Sequence, residues 1–396
     1  MAESTGVRQI LTLNAIASVG LERFPGERYQ LGGDIKAPDA ILVRSHDMHA
    51  MDIPGSVLAI GRAGAGTNNI PVDKMNGRGV PVFNAPGANA NAVKELVIAA
   101  MLLAARNLLP AAQYVSGLKG DDETLHKLVE DGKKQFAGIE LPGRTLGVIG
   151  LGKIGSLVAD AAIKLGMDVL GYDPEITVDA AWSLSSKVRK AHSVEEVLKA
   201  ADFVTLHVPL MPATRNLLNA HRVPLMKKGA ALLNFSRDGI VDNDAVLAGL
   251  KSKGLRAYVC DFPAQSLSGH PQVVALPHLG ASTREAEDNC AVMVADQVRD
   301  FLENGNIRNA VNFADVVMSR ESAYRVAIAN ANVPNMVGQI STALARAGLN
   351  IHNMLNKSRA DLAYTLVDVD SAVPDALIAE LAVISGVLAV RYLPAT

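Results

Sequence analysis

Three glycines, Gly150, Gly152 and Gly155, stand in Gly-x-Gly-x-x-Gly spacing within "TLGVIGLGKIGSLVADAAIKLGMDVLGYD", residues 145–173. At a strand-to-helix turn the first glycine permits the tight bend, the second lets a pyrophosphate approach the backbone, and the third lets helix and strand pack closely. The free N–H groups of the helix then face the phosphates. The run "TLGVIG" predicts that strand, with a helix beginning near Lys153. A second strand ends "VLGYD", placing Asp173 about 20 residues on, where an acid accepts the ribose hydroxyls. A carboxylate there repels a 2′-phosphate, so NAD is expected rather than NADP. The bland alternative is a glycine turn of an ordinary α/β domain with Asp173 as a surface acid.

A nicotinamide-dependent reaction on an alcohol needs a base for the hydroxyl proton and a cation for the substrate. Ligands of such sheets sit at the carboxyl ends of the strands. "LLNFSRDG" puts Arg237 just past one predicted strand, and "VVALPHLGAST" puts His278 just past another. Against these roles, Arg237 could pair with Asp242 and His278 could cap backbone groups. His207 in "VTLHVP" reads as a packed strand residue and Cys260 as core.

The elements that must hold these residues follow from the apolar runs. "AILVR" (40–44), "VLAIG" (57–61) and "VPVFN" (80–84) predict buried strands. "NAPGANAN" (84–91) predicts a break, followed by a long helix with Val93, Leu96, Val97, Ala100, Met101 and Ala104. From Gly143, "TLGVIG", "MDVLGYD", "DFVTLHV", "GAALLNFS", "LRAYVCD" and "QVVALPH" are six further strands. Strands of this kind alternating with helices imply parallel sheets covered on both faces. Residues 282–304 predict a long amphipathic helix, and the tail beyond about residue 317 reads β, α, β, β, α, β, the ferredoxin-like order.

Composition narrows the classes. The 396 residues are 49% apolar, enough for two or three domains. A formal charge of −2 with mixed signs leaves no basic stripe for nucleic acid or a membrane surface. Two cysteines, Cys260 and Cys290, make neither a disulfide framework nor a metal-ligand set, so no metal is expected. "LVIAAMLLAA" (96–105) falls short of the roughly 18 residues of a membrane span. The N-terminus lacks a basic start before an apolar core, so a cytoplasmic protein is expected.

"GLGKIG", "VPLMPATRNLL", "NFSRDGIVD" and "PHLGAST" resemble the D-isomer-specific 2-hydroxyacid dehydrogenases. "LVRSHD", "AIGRAGAGTNNI" and "NAPGANANAVKELV" narrow the resemblance to members acting on 3-phospho-D-glycerate. The tail "RVAIANANVPNMVGQI…GLNIHNM" resembles an ACT regulatory domain. The resemblance covers nearly the whole chain. It implies a Rossmann-like NAD domain at 89–286, inserted in a flavodoxin-like substrate domain at 1–88 and 287–316, with the ferredoxin-like ACT domain at 317–396. It further implies oxidation of 3-phosphoglycerate to 3-phosphooxypyruvate for L-serine biosynthesis, by a homodimer or homotetramer with the long helix as dimer arm. Closure of the cleft would exclude water.

The same resemblance implies the roles. Arg237 would hold the substrate carboxylate and C2 oxygen, and His278 would take the C2 hydroxyl proton. Lys153 and Ile154 would lie along the pyrophosphate and Asp173 along the ribose. Phe235, Ser236 and Arg237, with Asp261 and the stretch His278 to Ala281 including Gly280, would line the nicotinamide end. For the substrate phosphate, Arg44 and Arg62 follow strand ends, where a planar guanidinium fork suits phosphate. Ser45 and the backbone N–H groups of Ala63 and Gly64 would add neutral donors. Asn330, Asn332 and Asn350 match amino-acid-binding positions, on the loop before the first helix and at the start of the second strand of the tail, with L-serine the expected effector. Edge-to-edge dimerisation is the alternative for that tail.

Two departures stand out. The family's Asp-Val-Phe-x-x-Glu-Pro pattern reads here "CDFPAQSLSGHP". Asp261 matches the aspartate, but Gln265 or Ser266 falls where a glutamate would pair with the histidine. Asp238 replaces the usual glycine after Arg237. A carboxylate beside an imidazole favours its protonated form, so the expectation is that Asp261, Asp238 or another acid compensates. The rival readings are a dehydrogenase for another D-2-hydroxy acid, such as D-lactate, and a non-catalytic NAD-sensing protein.

Overall fold

The computed structural model describes residues 6–395. The chain divides into two compact units. One joins the chain up to Asn89 with the chain from Arg284 onward, and the other is Ala90–Thr283. The expected α/β class is observed.

In the first unit, β1 (Arg8–Leu13), β2 (Tyr29–Gly32), β3 (Ala40–Val43), β4 (Ala59–Arg62) and β5 (Val82–Phe83) form a parallel sheet in the order β2-β1-β3-β4-β5. This is the flavodoxin-like doubly wound order. Strands β3 to β5 fall on the expected apolar runs. Strands β1 and β2 were not expected, because neither is covered along its whole length and neither reads as a continuous apolar run. The predicted helix over 282–304 is observed as Arg284–Asn304. A Cβ on Gly61 of β4 would lie 2.7 Å from Val294 and 2.8 Å from Val298, so this helix sits directly on the strand.

The second unit holds a seven-stranded parallel sheet of β6 (Thr145–Ile149), β7 (Asp168–Tyr172), β8 (Val188–Lys190), β9 (Phe203–Leu206), β10 (Ala230–Asn234), β11 (Leu255–Cys260) and β12 (Val273–Ala275). Its order is β12-β11-β10-β9-β6-β7-β8, the Rossmann pattern with its switch between β6 and β9. Six of the seven strands were expected. The seventh, β8, is a three-residue edge, too short to carry a period. Helices Ala90–Arg106 and Lys153–Lys164 pack one face, through Val97, Met101, Val158 and Ala162. Helices Val194–Ala200 and Asn243–Lys251 cover the other, through Val197, Leu198 and Val246.

The tail forms an antiparallel sheet of β13 (Tyr324–Ala331), β14 (Ile351–Arg359), β15 (Leu362–Val369) and β16 (Val387–Pro394), in the order β14-β15-β13-β16. Helices Met336–Arg346 and Asp375–Ala382 complete the expected ferredoxin-like order. One sheet face, with Val326, Ile328, Val367 and Val369, packs on these helices. The opposite face, with Ala327, Ala329, Tyr364 and Leu393, joins Phe301, Leu302 and Phe313 in the core of the first unit. Among the described residues, no helix is long and apolar enough to cross a membrane.

Arg325 ties this sheet to the preceding chain. It is fully buried, as is Asp368. Its Nε and Nη2 donate to the two Asp368 oxygens at 2.6 and 2.8 Å. Nη1 donates to the carbonyls of Asn304 and Met318, and Nη2 also to that of Ser319. All five guanidinium N–H donors are thereby used. Removing one partner of such a pair strands the other charge in the interior and costs about 3–5 kcal/mol. Arg325→Met is therefore expected to lower stability by about that amount. The check is the urea midpoint read by circular dichroism. An unchanged midpoint would mean that Asp368 is accommodated without its partner.

Candidate active site

The glycine turn is built by exclusion. Gly150 has φ +93°, and a Cβ there would sit 2.5 Å from the His207 carbonyl oxygen. A Cβ on Gly155 would lie 2.0 Å from the Gly150 oxygen. Gly152 differs: a Cβ there would meet nothing within 4 Å. Two glycines therefore let the chain close on itself, and the third leaves open space beside the first turn of helix Lys153–Lys164. That arrangement fits a pyrophosphate. Lys153 is exposed and Ile154 packs partly into the core beneath.

Asp173 follows the end of β7. Its Oδ2 accepts from the Leu151 N–H at 2.8 Å and its Oδ1 from the Glu175 N–H at 3.0 Å. The acid is thereby tied to the glycine turn. Each oxygen keeps a second lone pair for a ribose hydroxyl.

Arg237 and His278 leave β10 and β12, which flank β11, at the carboxyl edge of the same sheet. Asn234, 2% exposed, shapes the Arg237 loop. Its Oδ1 accepts from the Ser236 N–H and hydroxyl, and its Nδ2 donates to the Arg237 carbonyl. Nothing in a sequence motif singled out Asn234; only its buried place at the end of β10 reveals it. Phe235 is buried in the core. Arg237 donates to the Ser236 carbonyl at 2.6 Å, and burial draws its guanidinium below the ordinary arginine value. It does not pair with Asp242, which caps helix Asn243–Lys251 by accepting from the Asp244 and Ala245 N–H groups.

His278 has φ +57°, a left-handed conformation uncommon outside glycine. Its ring meets the Phe262 ring edge-on, centroids 5.2 Å apart. Asp261, 1% exposed, holds the loop that follows. Its two oxygens accept from the Leu279 and Gly280 N–H groups, each at 2.7 Å. Gly280 is buried and Ala281 partly so.

His207 ends the run after β9 and lies under the glycine turn. Its Nε2 is 3.0 Å from the Thr205 hydroxyl, and its Nδ1 is buried without a partner. Burial pushes its pKa down to about 3, so the ring is neutral, as expected of a packed strand residue.

In the first unit, Arg44 follows β3 and Arg62 ends β4. Arg44 is engaged by Glu287 at 2.6 Å, which holds that carboxyl below its usual range. Arg62 donates from Nε to the Arg44 carbonyl. Ser45 is exposed. The two expected amide donors are corrected: the Ala63 N–H already donates to the Val43 carbonyl and the Gly64 N–H to the Arg62 carbonyl, both at 2.8 Å. The chain continues β4 pairing by one residue and then turns, which consumes both groups.

Residues 98–280 match the D-isomer specific 2-hydroxyacid dehydrogenase, NAD binding domain. The D-3-phosphoglycerate dehydrogenase of Escherichia coli K12 is 30% identical, with 99% of this chain and 96% of that protein covered. The chain belongs to the D-isomer specific 2-hydroxyacid dehydrogenase family. The D-3-phosphoglycerate dehydrogenase of Methanocaldococcus jannaschii is 38% identical over 71% of this chain, which spans about half of that protein (53%). In fold, the chain is similar to the NAD⁺-bound 3-phosphoglycerate dehydrogenase of Entamoeba histolytica, with TM-score 0.60 and 24% identity over 78% of this chain and 99% of that one.

This family member has no carboxylate on its histidine ring among the described residues. The compensating acids expected from sequence are corrected. Asp261 has both oxygens on loop amides, and Asp238 accepts from the adjacent Gly239 N–H. Gln265 is exposed and begins a short turn, Gln265–Leu267, that buries only Leu267. The effector positions also shift. Asn330 lies inside β13 and is 1% exposed rather than on a loop. Asn332 follows that strand, with its Nδ2 on the Ala360 carbonyl, and Asn350 precedes β14, with its N–H on Asp370.

Two measurements test the electrostatics. Unfolding raises the His207 pKa from about 3 to roughly 6.5. As pH falls below that value the unfolded chain takes up a proton that the folded chain refuses, and stability drops by about 1.4 kcal/mol per pH unit. Denaturation midpoints at pH 7 and pH 5 should converge in His207→Leu and diverge in the unaltered protein. Separately, a carboxylate introduced by Gln265→Glu is expected to shift the pH–rate profile to higher pH where position 265 faces His278. An unchanged pH–rate profile would remove position 265 from the neighbourhood of His278.

Proposed function

We propose that the protein is an NAD-dependent D-3-phosphoglycerate dehydrogenase, oxidising 3-phospho-D-glycerate to 3-phosphooxypyruvate at the first step of L-serine biosynthesis. The reading rests on one observation: Arg237 and His278 leave the ends of β10 and β12, the two strands that flank β11, at the sheet edge that carries the Gly150–Gly155 turn. Bound NAD supplies the acceptor for the C2 hydride. Arg237 holds the substrate carboxylate and C2 oxygen, and its charge favours the carbonyl as it forms. His278 takes the hydroxyl proton as general base. Asp173 receives the ribose hydroxyls, the first turn of the helix at Lys153 and Ile154 receives the pyrophosphate, and Ser236, Gly280 and Ala281 border the nicotinamide end. Residues 89–286 serve as the NAD domain, 1–88 with 287–316 as the substrate domain, and 317–396 as an ACT domain.

Arg62, with Arg44 and Ser45, would meet the substrate phosphate. A second reading, a dehydrogenase for an unphosphorylated D-2-hydroxy acid, is favoured by the Arg44–Glu287 pair, which already occupies one expected phosphate cation. L-Serine is the proposed effector. Asn330 Oδ1 is buried without a partner, a fit for an ammonium donor. Assembly into a homodimer or homotetramer would cover Leu102, Leu108, Leu109 and Val115, exposed on helices Ala90–Arg106 and Leu108–Gly117. Buried, unpaired thiols at Cys260 and Cys290 suit a cytoplasmic setting.

NADH oxidation with phosphohydroxypyruvate, 2-oxoglutarate and pyruvate in parallel separates the two readings, the first requiring preference for phosphohydroxypyruvate. Arg62→Ala should raise KM for 3-phosphoglycerate about tenfold or more while changing that for D-glycerate about twofold at most. Equal effects on both substrates would refute the phosphate assignment.

A further inference from the structure

The turn after β3 is held by side chains from both neighbouring strands. Strand β3 lies between β1 and β4, and the three run parallel, so the segments leaving their carboxyl ends are neighbours. From the β1 side, Asn14 Oδ1 accepts from the His46 N–H at 2.6 Å. From the β4 side, Asn69 Nδ2 donates to the Arg44 carbonyl at 3.3 Å and to the His46 carbonyl at 2.8 Å. The Asn69 carbonyl accepts from the Met48 N–H at 2.9 Å. Arg62 Nε is a second donor to the Arg44 carbonyl, at 3.0 Å.

These bonds enclose one residue. Ser45 lies between the two carbonyls that the Asn69 amide gathers, and it is exposed. Its N–H and hydroxyl have no partner among the described residues. The peptide that carries the Ser45 N–H is the one whose carbonyl, that of Arg44, is gripped by Asn69. A trans peptide is planar, with N–H opposite C=O, so holding the carbonyl aims the N–H the other way. Both neighbours of the Asn69 amide nitrogen are acceptors, which only a donor can satisfy. The Asn69 Oδ1 is buried without a partner, so the bonding of this side chain is all at its donor end. With the Ala63 and Gly64 amides already used, Ser45 is the neutral donor of the expected phosphate set that stays open.

We infer that Asn69 is a positioning residue for phosphate recognition: it fixes the direction of the Ser45 donors without touching the substrate. The inference rests on the reading of Arg44, Ser45 and Arg62 as the phosphate end. Donors aimed in advance need no ordering when the ligand arrives. Asn69 therefore matters for a substrate that carries a phosphate and not for one that lacks it.

NADH-dependent reduction of phosphohydroxypyruvate and of hydroxypyruvate, which differ only in the phosphate, tests this. Asn69→Leu removes the donor at nearly equal size and adds no charge. A second variant acts from the other strand. Asn14 has φ +66°, so Asn14→Gly deletes the acceptor of the His46 N–H without backbone strain. Asn69→Leu should raise KM for phosphohydroxypyruvate about fivefold to tenfold and Asn14→Gly about threefold, with kcat and the KM for hydroxypyruvate within about twofold. Circular dichroism reports whether Asn69→Leu folds; where it does not, Asn14→Gly decides alone. Equal changes on both substrates, or an unchanged KM for phosphohydroxypyruvate in the deciding variant, would overturn the positioning role and leave the dehydrogenase reading intact. Should the unaltered protein show no preference for phosphohydroxypyruvate over hydroxypyruvate, the phosphate reading itself falls, and this inference with it.

Discussion

The second unit is organised around a contact that no side chain could enter, the approach of Gly155 to the Gly150 carbonyl beneath the helix at Lys153. A Cβ at the one position would lie 2.0 Å from that oxygen, and a Cβ at the other 2.5 Å from the His207 carbonyl. Strand β6, strand β9 and the helix therefore converge on one point. Convergence sets the helix N-terminus directly over the sheet edge, and the Leu151 N–H bond to Asp173 then fixes the acid beside it. The proposed phosphate and ribose positions rest on these two facts. The reacting end must lie toward β10, β11 and β12, because neighbouring strands advance about 4.8 Å each across the sheet. His207 belongs to the same crowding: its backbone carbonyl meets the turn, and its ring, with Nδ1 buried, stays neutral.

At the reacting end, the buried carboxylate of Asp261 acts on backbone and not on the imidazole. By accepting both the Leu279 and Gly280 amides it forces the chain after Pro277 into a tight bend, and His278 takes a left-handed conformation at its start. The Phe262 ring limits where the imidazole lies. The His278 ring is thus oriented by backbone capture and an aromatic edge, where the sequence pattern led one to expect an acid. Asn234 does the corresponding work for Arg237. The side chains of Arg237 and His278 both stand on loops, yet each loop is held by a buried polar side chain at the end of its own or the adjacent strand. Such an arrangement gives a site access to ligand without loss of definition.

Much of this was legible in the chain. The glycine spacing, the acid after the second strand and the continuous apolar runs carried the two parallel sheets, because local pattern reports local burial. The order of the tail was equally readable, its six elements alternating in period. What escaped depends on partners distant in sequence. Nothing near Arg44 announces Glu287, 243 positions away, so its charge read as available. The amides of Ala63 and Gly64 read as donors because a strand's last backbone bonds leave no trace in side-chain type. Asn330 looked like a residue of the loop before the first helix of the tail, but antiparallel pairing with Ala363 carries β13 through it. Strands β1, β2 and β8 were invisible for a related reason: short or half-covered strands have no reason to be uniformly apolar.

The tail illustrates how a small sheet becomes part of a larger body. A four-stranded ferredoxin-like sheet with two helices on one side has an open face, and here alanines, Tyr364 and Leu393 on that face enter the core around Phe301. Small side chains permit the close approach: a Cβ on Gly79 would lie 3.0 Å from that of Ala329. Around this apolar centre, Arg325, Arg391 and the Tyr364 hydroxyl all bond to carbonyls at or just beyond the C-terminal turn of helix Arg284–Asn304. Cationic donors at a helix C-terminus meet both its unbonded carbonyls and its negative dipole end. The sheet is therefore fastened to the end of the helix whose body lies on β4.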